Sequence, residues 1–104
     1  MELASLMREI DDFVEAKGWG RPGSERPQTP RNLATSIAIE AAELLECFQW
    51  SEDANRARVA DELADVLIYS LRLAQIAEID PLGAIRKKLD RNRRREWPEC
   101  SVEE

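Results

Sequence analysis

The chain has no histidine among its 104 residues. That excludes His-activated nucleophiles and His-ligated zinc from its own chemistry. Cysteine is scarce as well. Cys47 and Cys100 form neither a metal-binding spacing nor a disulfide framework, and no signal peptide is apparent. The expected compartment is therefore a reducing cytoplasm. Long apolar runs are missing. The most apolar stretch, 63–77, is interrupted by Asp65, Ser70, Arg72 and Gln75, so no membrane partner is expected. Aromatic residues make up only 6% of the chain. The most informative absence is local. Between Asn32 and Asn55 there is no Lys or Arg, yet the span carries Glu40, Glu43, Glu46, Glu52 and Asp53.

What remains is 43% hydrophobic and 35% charged, dominated by Leu, Ile, Ala and Glu. That is the composition of one all-α globular domain. So small a domain buries a modest fraction of its surface, which makes an oligomer the expectation. The net charge of -6 argues against a dedicated nucleic-acid partner.

Apolar periodicity predicts four helices. The first covers 2–17, with Leu3, Leu6, Met7, Ile10, Phe13 and Val14 on one face and Gly18 as its stop. A Pro/Gly-rich loop follows. Thr29 and Pro30 supply a cap and a first-turn proline for a second helix, expected to end near residues 50–51. Ser51 or Asn55 caps the third, expected over 56–78. Asp80-Pro81 starts the fourth, running to about residue 94 with Leu82, Ile85 and Leu89 inward. Residues 99–104 read as a flexible tail beyond a domain of 1–98.

Two helical stretches carry the chemistry. Glu40-x-x-Glu43 and Glu62-x-x-Asp65 each place two acids one turn apart on one face. Like charges at that spacing destabilise a helix by roughly 0.2–0.5 kcal/mol per pair. A divalent cation would compensate. Mg²⁺ takes a few carboxylate oxygens and completes its shell with water and substrate phosphates. Seven basic residues between Arg86 and Arg95 could hold phosphate oxygens. Phe48 and Trp50 offer flat apolar surface to a base. Each feature also has a plainer reading. Glu-x-x-Glu is common on solvated helices, a basic C-terminal run complements the helix dipole, and Trp50 and Tyr69 could simply pack.

The pattern of four acids, with 18 residues between Glu43 and Glu62, resembles the MazG-like all-α nucleoside triphosphate pyrophosphohydrolases, dCTP pyrophosphatase-like members included. The likeness extends to Pro30-Arg31-Asn32-Leu33, Phe48-Gln49-Trp50, Asp61 to Tyr69, and Lys88-Leu89-Asp90-x-Asn92-x-x-Arg95, in family order. It implies a four-helix subunit assembling into a helical-bundle homodimer or homotetramer, with sites at subunit contacts. It implies Mg²⁺-dependent hydrolysis, with Mn²⁺ as an alternative, of a (deoxy)nucleoside triphosphate to monophosphate and pyrophosphate. Pyrimidine or modified nucleotides would be the substrates, in nucleotide-pool housecleaning. By the resemblance, Glu40, Glu43, Glu62 and Asp65 are metal ligands, and Glu40 or Glu43 also engages the attacking water. Trp50, Lys88, Asn92 and Arg95 fall on substrate-binding positions. The pattern departs from the family at Gln28, where relatives commonly carry His, and at the Pro/Gly-rich insertion of residues 20–27. The competing expectation is a non-catalytic helical oligomer or partner-binding module.

Overall fold

Local capping chemistry sets where the helices begin. In the computed structural model, which describes residues 2–96, the elements are α1 (Glu2–Lys17), α2 (Pro30–Glu46), α3 (Arg56–Ile76) and α4 (Pro81–Arg94), with no strand among the described residues. Thr29 accepts from the Asn32 backbone N–H at 3.1 Å, and Pro30 follows it at the first helical position. Asn55 caps α3 by accepting from the Arg58 N–H at 3.1 Å. Ser51, the other candidate, accepts from the Asp53 N–H inside the loop instead. Asp80 holds the cap position of α4, but its side chain makes no capping bond. Its carboxylate leans over Gly83, where a Cβ would meet Oδ2 at 2.6 Å.

The helix ends are less regular. Gly18 stops α1 in the left-handed region at φ 74°, a conformation that costs glycine little. α2 ends at Glu46, about four residues short of the expected 50–51. From there Cys47, Phe48 and Gln49 donate to Leu44, Leu45 and Glu46, so the bonding tightens from i→i−4 to i→i−3 and the helix unwinds. α3 ends at Ile76, two residues before the expected end. The Ile79 N–H reaches back to the Ala74 carbonyl at 2.8 Å and the Glu78 N–H to Gln75 at 3.2 Å. That is a Schellman closure, with Glu78 at φ 58° in the place usually taken by glycine.

α2 and α3 form an antiparallel hairpin. Glu40 faces Asp65 while Glu43 faces Glu62, so the numbering rises on one helix as it falls on the other. α1 packs on α3 in the same antiparallel sense, because Arg72 reaches Asp11 and Gln75 reaches the Met7 carbonyl. The enclosed core is small: Ile10, Val14, Leu33 and Ala74 are its buried apolar side chains. α4 departs from expectation. It scarcely packs on the other three helices, and Ile85 and Leu89 are 55% and 45% exposed, not inward. The chain turns away at residues 77–80, so among the described residues nothing covers that face. The radius of gyration is 17.0 Å, against about 13 Å for a compact chain of this length. The domain's last two expected residues, 97 and 98, and the tail 99–104 lie outside the described residues.

Two substitutions test the local chemistry in opposite directions. Thr29→Ala should lower stability by about 1 kcal/mol, through loss of the cap. Glu78→Gly should raise it by about 0.5–1 kcal/mol, because glycine relieves the left-handed strain at some entropic cost. Urea unfolding midpoints at constant m-value read both.

Candidate active site

The α2–α3 seam gathers the acids that the sequence singles out. Donor oxygens of Glu40, Glu62 and Asp65 lie within 4.8 Å of one another. Glu43 stands against Glu62, close enough for the two carboxyls to share a proton, and Glu40 stands likewise to Asp65. All four side chains are half-buried. Glu40 Oε1 and Glu62 Oε1 are shielded from solvent with no hydrogen-bond partner in the protein. Removal from water, followed by repulsion from Glu43, Asp65 and Glu62, raises the pKa of Glu40. Glu62 is raised by the same two effects, with Glu43 its strongest neighbour.

This donor set fits a hard divalent cation. Its atoms are carboxylate oxygens, they converge, and two of them are buried with nothing in the protein to bond. A solvated helix face would leave those oxygens in water.

A cavity of about 250 Å³ opens beside the seam, with Asp65 in its wall. Its other walls are largely apolar and come from three segments: Ile10, Phe13 and Val14 of α1, Trp19 of the following loop, and Ile68 and Tyr69 of α3. The Trp19 ring stands edge-on to Phe13 with centroids 5.5 Å apart. The Arg26 guanidinium lies 5.3 Å from the Trp19 centroid, which folds the 19–29 loop back over α1.

The substrate positions expected from sequence fall elsewhere. Trp50 is 89% exposed on the turn after α2 and lines neither this cavity nor the acid cluster. Lys88 and Asn92 lie on α4 and Arg95 just beyond it, on the helix that stands apart from the hairpin.

Residues 35–103 match the MazG-like family. The chain belongs to that family. Among curated relatives, dCTP pyrophosphatase 1 of Rattus norvegicus and that of Homo sapiens are each 35% identical to it over 89% of this chain. The chain spans 58% of the length of those relatives. The crystal structure of a pyrophosphatase from Archaeoglobus fulgidus DSM 4304 superposes with a TM-score of 0.79 at 38% identity, over 90% of this chain and 91% of that one. The all-α MazG-like fold follows from both comparisons. Among the described residues, no helix of this MazG-like chain is long and apolar enough to cross a membrane.

Sequence reasoning missed the polar side of the cavity. Arg72 is buried, 8% exposed, and links Asp11, Gln28 and Gln75. The sequence holds one clue. Asp65, Tyr69 and Arg72 sit at i, i+4 and i+7, so the arginine lies on the acid-bearing face of α3.

The raised carboxyl groups have a pH signature. A folded-state carboxyl raised above its ordinary value of 4.5 binds more protons folded than unfolded. Its contribution to stability therefore falls as pH rises through that window. In EDTA, wild-type protein should lose melting temperature as pH rises above 4.5 relative to the Glu40→Gln/Glu62→Gln variant. At pH 7, Mg²⁺ at about 100 times its Kd should return about 2.7 kcal/mol to the wild type and nothing to the variant. Calorimetric melting curves decide.

Proposed function

We propose that this chain is a Mg²⁺-dependent nucleotide pyrophosphohydrolase that cleaves (deoxy)nucleoside triphosphates between the α and β phosphates, acting on pyrimidine or modified nucleotides. The observation carrying the proposal is the convergence of Glu40, Glu62 and Asp65 on one point, with buried oxygens left unbonded. Membership of the MazG-like family and likeness to dCTP pyrophosphatase 1 support it.

Glu40, Glu62 and Asp65 would hold the cation, which when bound supplies charge neutralisation for the phosphates. Glu43 lies outside that tightest group and faces Glu62. It is the carboxylate left to orient a water in line with the α-phosphorus and take its proton. Hydrolysis then breaks the bond from the α-phosphorus to the bridging oxygen, and pyrophosphate leaves. The apolar cavity at Asp65 would receive the base, with Trp19 and Tyr69 as its aromatic walls.

The proposal includes a second copy of the chain. Leu45 is 71% exposed and Leu67 54%, alongside Ile39 and the open face of α4. So many exposed large apolar side chains suit an interface. Docking α4 of one copy near the acidic seam of another would set Lys88, Asn92 and Arg95 beside the phosphates, and the Trp50 turn could meet substrate the same way. A cytoplasmic setting suits such a pool enzyme.

Two experiments test this. Glu43→Gln should reduce Mg²⁺-dependent pyrophosphate release at least about 100-fold, and EDTA should abolish it in the wild type. Orthophosphate as the first product would refute the assigned bond. Light scattering should give a mass that is a multiple of 11.9 kDa, reduced to the single chain by Leu67→Glu. A wild-type monomer would remove the subunit-contact part.

A further inference from the structure

Little apolar surface holds α1 to the hairpin. Ile10 and Val14 are its buried side chains, and its packing on α3 is much thinner than that of α2. The 19–29 loop adds no buried apolar side chain. What ties both segments to α3 gathers on one residue. The Arg72 side chain is 10% exposed. Its Nε donates to Gln28 Oε1 at 3.2 Å. Its Nη1 spends both hydrogens, on Asp11 Oδ1 and Gln75 Oε1, each at 2.8 Å. Gln75 Nε2 then donates to the Met7 carbonyl at 2.6 Å. One guanidinium therefore holds α1 at two points a turn apart and the end of the loop at a third. Among the described residues, no other hydrogen bond crosses from α3 to α1 or to this loop. The loop's remaining tie, from Asn32 Nδ2 to the Pro27 carbonyl, runs to α2. Arg72 also lines both the cavity at Asp65 and a second one of about 300 Å³, which Asp11 lines and the first cavity does not share.

We infer that Arg72 is a positioning residue, a latch that seats α1 and the end of the 19–29 loop on α3 and so keeps the cavity at Asp65 formed before any ligand enters. A rigid planar fork can serve three acceptors lying in different directions, which a lysine ammonium on a flexible stem cannot. The latch can open without stranding a charge. Asp11 is 61% exposed, so its carboxylate returns to water when the pair breaks. Opening therefore frees α1 while the α2–α3 seam, with its acids, stays closed. A wall held in place in advance spares a ligand the cost of ordering it. The kinetic half of this inference rests on the nucleotide reading above; the seating of α1 does not.

Hydrogen exchange followed by mass spectrometry tests the latch on the full chain without ligand. Arg72→Met and Asp11→Ala should each speed amide exchange across α1 about tenfold, with α2 and α3 unchanged. Asp11→Ala keeps the arginine and alters no wall of the cavity at Asp65. Turnover of deoxycytidine triphosphate with Mg²⁺ is measured on the same proteins. Both variants should raise KM about threefold to tenfold and leave kcat within about twofold. Exchange in α1 unchanged, or raised equally in all helices, would overturn the inference. So would a KM that rises in Arg72→Met but not in Asp11→Ala, since the arginine would then act by touching the ligand itself. Faster exchange confined to α1, in a protein whose wild type releases no pyrophosphate, would support the latch and sink the hydrolase reading alone.

Discussion

Carboxylates repel one another, and packing α2 against α3 brings four of them to one seam. Glu40 meets Asp65 and Glu43 meets Glu62, while no basic residue lies between Asn32 and Asn55 to offset them. The hairpin holds this arrangement because apolar contact elsewhere along it, with Leu33 and Ala74 buried, outweighs the repulsion. What the packing does not relieve is the state of the seam itself. Two oxygens are shielded without partners, and two carboxyls are pushed toward protonation. The seam is therefore suited to a cation, and the proposed chemistry grows from that fit.

The open form of the protomer belongs to the same picture. The acids line the α2–α3 seam, the basic residues sit on a helix that stands clear of it, and apolar side chains on α2, α3 and α4 are exposed. Opposite charges held apart in one chain are complementary surfaces for two chains. On the proposed reading the excess radius of gyration would be unfinished assembly, and a second copy would complete both the core and the proposed site.

Much of this was legible in the sequence because it is written locally. Thr29-Pro30 and Asn55 act within three residues, so the helix starts follow from the caps. The Glu-x-x-Glu and Glu-x-x-Asp spacings fix a shared face, and family resemblance pairs them. The helix ends were harder. No glycine marks residue 78, and the 47–49 turn arises from a change in bonding pattern that no single residue announces. Ile85 and Leu89 read as core because apolar spacing reports a face that wants covering, without saying which chain covers it. The Arg72 network was illegible for a different reason. Its partners Asp11 and Gln28 lie 61 and 44 residues away, and only the packing of α1 on α3 brings them together.

The acids come from one continuous hairpin, residues 40–65, whereas much of the adjoining cavity comes from residues 10–28. On the proposed reading, cation-holding and base-holding would fall to neighbouring, largely separate pieces of chain. In relatives of such a protein, selection can rewrite the loop after α1 without disturbing the register of α2 on α3. On that reading, substrate range could drift while the acid seam of α2 and α3 is inherited whole.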